Sequence, residues 1–165
     1  MTTPMTTTRR RPRAVTAAGG AAAALGLTRS ATAQQEFEVT RSTSEWKAML
    51  SDLEYKVMRE EGTERAFTSP LNDEKRDGMF NCKGCDLALY SSEHKYDSGT
   101  GWPSFWQPIR SGAVGTSTDY KIGVPRTEVH CARCGGHLGH IFNDGPRPTG
   151  KRHCINGVAL DFKPA

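Results

Sequence analysis

The sequence predicts a mainly β domain with helices only at its start and a metal site as a brace. Three observations predict it. Capping signals and helical spacing are confined to residues before Gly62. From Met79 onward, short apolar runs alternate with Gly, Pro, Asn and Asp, the texture of antiparallel strands and turns. Two Cys-x-x-Cys pairs, Cys82/Cys85 and Cys131/Cys134, lie within that β-rich part.

At 165 residues the chain has room for one domain with an ordinary core. Residues 1–33 read as a leader. They hold Arg9, Arg10, Arg11, Arg13 and Arg29, no acid, a mild apolar run from Ala17 to Leu27, and Ala31-Thr32-Ala33 before Gln34. A basic segment, an apolar segment and a small-residue cleavage site make a secretory signal. The consecutive arginines favour the twin-arginine route and a periplasmic destination, with a mitochondrial transit peptide as the alternative. The leader carries five of 22 basic residues and none of the 18 acids, so removing it leaves 17 against 18, a net charge of −1. That balance argues against a nucleic-acid surface. No later run is long enough to span a bilayer, so a soluble product is expected, and a monomer.

Residues 34–44 read as a lead-in and residues 45–165 as the working domain. Ser42-Thr43-Ser44-Glu45 forms a capping box, followed by Trp46, Met49, Leu50, Leu53 and Val57 on one helical face. A second box, Ser51 to Glu54, splits the run into two short helices, with Gly62 as the stop. Thr68 to Asp77 is a loop. Strands are expected at Leu87–Tyr90, Ala113–Val114, Lys121–Val124, Glu128–His130 and Cys154–Phe162.

A two-residue spacer lets both sulfurs of a turn point at one centre about 2.3 Å away, and two such turns make a closed tetrahedral thiolate site. Zinc with a structural role fits that donor set. Two disulfides, or a redox-active pair, are the alternatives.

The fifth cysteine, Cys154, has no partner by spacing. On a strand, Arg152, Cys154 and Asn156 share a face that continues into Val158, Leu160 and Phe162. The guanidinium, with a nearby histidine, favours the thiolate, and Asn156 could orient a polar substrate atom. A buried inert thiol is the other reading. His137 and His140 could act as acids near neutral pH, or serve as structural hydrogen-bonding groups or zinc ligands. Trp102, pinned between Gly101 and Pro103, is either a wall for an apolar ligand group or plain core.

Together, GTGWPSF (Gly99 to Phe105), the segment Cys134 to Phe162, RDGMFNCKGC (Arg76 to Cys85), REEGTERAF (Arg59 to Phe67) and the two cysteine pairs resemble the B-type methionine sulfoxide reductases. The resemblance covers Glu45 to Phe162. It implies a fold of two small antiparallel sheets with a structural zinc on Cys82, Cys85, Cys131 and Cys134. It implies reduction of the R epimer of methionine sulfoxide, free or in proteins. Cys154 then resembles the nucleophile, and His137 and His140 the pair that bind and help protonate the sulfoxide oxygen, with Asn156 beside them. Trp102 resembles the ring that receives the substrate methyl, with Phe142 helping to line the pocket and Arg152 as the thiol's basic neighbour. Two positions depart from the pattern. Thr100 stands where many members carry a recycling cysteine, which implies an external reductant, a thioredoxin-like protein or a small thiol. His153 stands where Tyr or Phe is common, and on a strand it would face away from Cys154. A zinc-stabilised binding module without catalysis, and a thiol oxidoreductase acting on disulfides, are the competing functions.

Overall fold

Two short helices pack on two antiparallel sheets in this computed structural model, which describes residues 1–2 and 36–165. The leader reading falls on residues 1–33 and so lies almost wholly outside the described residues. Every element below belongs to the unit Gln35–Ala165. Among the described residues no helix is long and apolar enough to cross a membrane.

Helix α1 spans Thr43–Met49 and α2 spans Asp52–Glu60, each opened by a complete capping box, Ser42/Glu45 and Ser51/Glu54. Each box satisfies helix-end donors that would otherwise go unpaired. The chain turns extended at Leu50, with ψ 142°, so the helical phase restarts at Ser51. The single apolar face expected across both helices is therefore wrong. Trp46, Leu50, Val57 and Met58 are buried, whereas Met49 and Leu53 are exposed. The stop also shifts by one residue. Glu61, not Gly62, takes the left-handed conformation, and Gly62 donates its N–H to the Lys56 carbonyl at 2.9 Å. Gly62 is needed there because a Cβ would crowd that same carbonyl.

The strands are β1 Gly78–Cys82, β2 Ala88–Ser91, β3 Lys95–Tyr96, β4 Ser104–Phe105, β5 Val114–Asp119, β6 Arg126–Cys131, β7 His137–Phe142, β8 Arg152–Ile155 and β9 Leu160–Pro164. One sheet has the order β2-β1-β9 and the other β3-β4-β8-β7-β6-β5, with every pairing antiparallel. Lys121–Val124, expected as a strand, is instead the turn joining β5 to β6, with Ile122 and Val124 exposed. Its glycine, Gly123, has φ 80°, a conformation suited to a hairpin tip.

Cys154–Phe162 is not one strand either. A 3-10 turn at Gly157–Ala159 ends β8 and sends β9 into the other sheet. The shared face expected from Arg152 through Phe162 therefore stops at Cys154. The core lies where the sheets meet. Phe105 of β4 stacks on Tyr90 of β2, with centroids 4.3 Å apart, and meets Phe80 of β1 edge-on at 5.0 Å. His153 points into this core, away from Cys154 as alternation requires, and its Nδ1 meets the Tyr90 hydroxyl at 3.1 Å.

Candidate active site

Cross-strand register builds the site. Ser104 of β4 pairs with Cys154 of β8, Cys154 with His140 of β7, His140 with Glu128 of β6, and Glu128 with Ser117 of β5. Directly opposed residues share a face. These five side chains therefore form one polar row across the sheet, on the side opposite the aromatic core.

His137 and His140 are three apart, which on a regular strand places them on opposite faces. A bulge between β6 and β7 changes this. His140 pairs with Glu128 while His137 pairs with His130, so one extra residue of β7 is absorbed at Leu138–Gly139. Glu128 and His130 are two apart and share a face, and the bulge brings both β7 histidines to it. The rings of His137 and His140 lie 5.4 Å apart. Gly139 allows the crowding, since a Cβ there would collide with the Cys154 carbonyl oxygen.

Carboxylates orient both rings. Glu128 Oε1 meets His137 Nδ1 at 2.8 Å, and Oε2 meets His130 Nδ1 at 3.0 Å and accepts from the Ser117 hydroxyl at 2.5 Å. Burial alone would raise the Glu128 carboxyl, but the bonds from His130, His137 and Ser117 win and hold it well below the usual range. Asp119 Oδ2 meets His140 Nε2 at 2.7 Å and accepts from Arg126 at 2.5 Å. The Lys121 N–H, His140 and Arg126 together depress the Asp119 carboxyl. A carboxylate can only accept, so the protons sit on His137 Nδ1 and His140 Nε2. His137 Nε2 is then buried without a partner among the described residues. Burial pushes His140 down more than Asp119 pulls it up, so the ring is neutral at pH 7.

A cleft of about 140 Å³ opens beside Cys154, lined by Thr63, Trp102, Arg126, His140, Phe142 and Asn156 together with Gly139 and the thiol. His137 lies behind His140 rather than on this wall. The Trp102 indole N–H donates to the Glu64 carbonyl at 3.1 Å. The Asn156 amide is occupied on both ends, accepting from the Glu64 N–H at 2.9 Å and donating to the Leu138 carbonyl at 2.9 Å. Asn156 thus braces the wall in place. Glu64 also caps the turn after β8, its carboxylate accepting from the N–H groups of Gly157 at 2.5 Å and Val158 at 3.1 Å.

Arg152 lies over the Phe142 ring, 4.3 Å from its centroid, and forms a two-pronged pair with Asp144 at 2.8 and 2.9 Å. The thiol is less acidic than the sequence suggested. Burial raises Cys154 above an ordinary cysteine, and the opposing pulls of Thr100 and Arg152 do not overcome it. The Thr100 hydroxyl stands 3.9 Å from the Cys154 sulfur and continues through Ser98 at 2.8 Å to Ser104 at 2.7 Å.

The other four cysteines gather elsewhere. Cys82 ends β1 and Cys131 ends β6, so the cluster joins the two sheets. The four sulfurs lie within 4.8 Å of one another, with Cys82–Cys134 at 3.6 Å and Cys85–Cys131 at 3.5 Å. All are free thiols, which sets the disulfide reading aside. The spacings approach the edge of about 3.8 Å in a tetrahedron with 2.3 Å metal–sulfur bonds. The two turns match: a left-handed residue follows each second cysteine, Asp86 at φ 59° and Gly135 at φ 66°. Arg133 donates to the Cys85 carbonyl at 3.2 Å and Arg59 to that of Cys134 at 3.0 Å. Four convergent thiols in a braced cage fit a thiophilic metal ion.

Comparison with known proteins decides the family. The SelR domain model matches residues 50–164. The chain belongs to the SelR domain family. This SelR domain is 53% identical over 127 residues to the peptide methionine sulfoxide reductase MsrB of Pseudomonas putida (strain W619), covering 77% of this chain and 96% of that protein. The protein of the same name from Leptospira interrogans is 49% identical over 127 residues, with 77% and 97% covered, and that of Agrobacterium fabrum 46%, with 77% and 94%.

Sequence reasoning missed Asp119, Glu128, Arg126 and Glu64. A carboxylate and a histidine two apart in an apolar run, as in Glu128-Val129-His130, was the available signal, since both must then share a face.

Proposed function

We propose that this SelR domain is a peptide-methionine (R)-S-oxide reductase in which Cys154 is the nucleophile. The observation that carries the reading is the cleft itself, where one free thiol faces an indole and an imidazole. Trp102 and Phe142 suit the S-methyl group. The His140 nitrogen not held by Asp119 suits the sulfoxide oxygen once the ring takes up a second proton, the resulting charge being held by Asp119, while His137, held by Glu128, backs it. Asn156 acts as a positioning residue. One epimer at sulfur matches this arrangement and its mirror image does not.

The Cys154 thiolate attacks the sulfoxide sulfur, and protonation from the histidine side turns a poor leaving oxygen into one that can depart. An S–S bond to Cys154 forms as the protonated oxygen leaves as water, water then attacks the Cys154 sulfur, and cleavage of the S–S bond releases methionine and leaves Cys154 as a sulfenic acid. An external thiol then displaces water to give a mixed disulfide, and a second thiol releases Cys154. Thr100 stands beside the sulfur where an internal resolving cysteine would be needed, and the other four thiols are committed to the cluster, so the reductant comes from outside. A thioredoxin-like protein or a small thiol fits that step. Zinc in the four-cysteine cage supplies structure and takes no part in the chemistry. With residues 1–33 as an export leader, the work is done in the periplasm.

The test is Cys154→Ser. Reduction of methionine (R)-sulfoxide should vanish while metal content and melting temperature stay near those of the parent. Retained turnover, or turnover of the S epimer alone, refutes the assignment.

A further inference from the structure

Cys154 has different surroundings on its two flanks. Strand β8 runs between β7 and β4, so His140 and the cleft stand on one flank of the sulfur and Ser104 on the other. The polar row continues past Ser104 to Tyr96 of β3, its cross-strand partner. On that second flank an open hollow of about 390 Å³ is lined by Tyr96, Ser98, Thr100, Asp144 and Arg152 among others. Among the described residues it shares no lining side chain with the cleft.

The hydroxyls between the sulfur and this hollow run in one direction. The Trp102 carbonyl can only accept, so the Ser104 hydroxyl spends its proton there at 3.2 Å. The Ser104 oxygen must then accept from Ser98 at 2.7 Å, and Ser98 from Thr100 at 2.8 Å. Thr100 ends the chain with its proton used and a lone pair left over, 3.9 Å from the Cys154 sulfur. Its pull on the thiolate requires giving up Ser98. A lone pair in that place calls for a donor. Tyr96 adds a second demand, because its hydroxyl is buried with no partner among the described residues. A water molecule entering from the hollow suits both groups.

We propose that Thr100 is the catalytic residue that holds the water freeing methionine from Cys154, and that this water comes from the hollow rather than the cleft. The inference rests on the reductase reading above and adds the residue that serves its second half. The entering oxygen puts an electron pair into the antibonding orbital of the S–S bond, whose open lobe points away from the methionine sulfur. Methionine occupies the His140 flank, so the water attacks from the Thr100 flank. As the O–S bond to Cys154 forms, the S–S electron pair returns to the methionine sulfur. The water gives up one proton, which passes to solvent through the hollow. The test is a single turnover with equimolar methionine (R)-sulfoxide and no reductant, methionine release being timed by rapid quench. Thr100→Val keeps the shape without the lone pair and should slow release about ten-fold, the effect of one lost hydrogen bond. Thr100→Ser should restore it. Alkylation of Cys154 by iodoacetamide, which needs the thiolate but no water, should change far less in either variant. Parent-like release by Thr100→Val, slow release by Thr100→Ser, or alkylation that falls by the same factor as release overturns the proposal. A parent that releases no methionine refutes the reductase reading instead.

Discussion

At Cys154 two influences compete, and burial is the stronger. A raised thiol means a small thiolate fraction at neutral pH, so the proposed reaction should accelerate as pH rises toward the thiol's own titration. Arg152 works against burial, and its cation favours the thiolate even while shared with Asp144. Arg152→Ala should therefore move the rising limb of the kcat/KM profile to higher pH and slow the reaction at pH 7. A limb that stays in place would show that the guanidinium serves only Phe142 and Asp144. Glu64 teaches the complementary lesson. Burial raises its carboxyl, and no cation among the described residues partners it, yet its backbone and side chain together touch Trp102, Asn156, Gly157 and Val158. Such a residue holds the site without entering it.

The bulge in β7 is the element on which the histidine pair depends. Gly139→Ala would press a methyl group into the Cys154 carbonyl and force β7 and β8 apart. A loss of about 3 kcal/mol in unfolding free energy is expected, measured by denaturant titration, with turnover lost along with it. An unchanged midpoint would mean that the strands tolerate another register. This element also explains what the sequence could reveal. Both capping boxes, the two cysteine turns and the lone thiol were legible because each is encoded within four or five residues. The β-rich character was legible from turn chemistry. The bulge was not, because register depends on a partner strand distant in sequence, and β7 itself went unforeseen. The same holds for the carboxylate–histidine pairs, since Asp119 reaches His140 only through two hairpin ladders. The break at Gly157 was hidden by an apolar run that continues into the other sheet.

For the whole molecule, the four-cysteine cage ties together two sheets that also meet through packed side chains, the Tyr90–His153 hydrogen bond and the turn from β8 to β9. Chelation under reducing conditions should lower the melting temperature by more than about 10 °C, and readdition of zinc should restore it. Insensitivity to a strong chelator that strips the metal would refute a structural role. The core contributes its own pH dependence. Burial, aided by Lys151, lowers His153 from 6.5 to about 4, so the unfolded chain binds the extra proton between those values. Stability is then fully present above pH 6.5 and is lost as pH falls toward 4, by on the order of 3 kcal/mol. His153→Phe should flatten the fall in melting temperature over that window, and an equally steep fall would exonerate the imidazole. Strand order carries a last consequence. Because β8 is flanked by β4 and β7, the backbone at residue 154 is anchored from left and right and has no freedom to swing outward. On the proposed mechanism, the oxidised sulfur would then stay where it forms, and the reductant would have to be slim enough to present its own sulfur at the mouth of the groove.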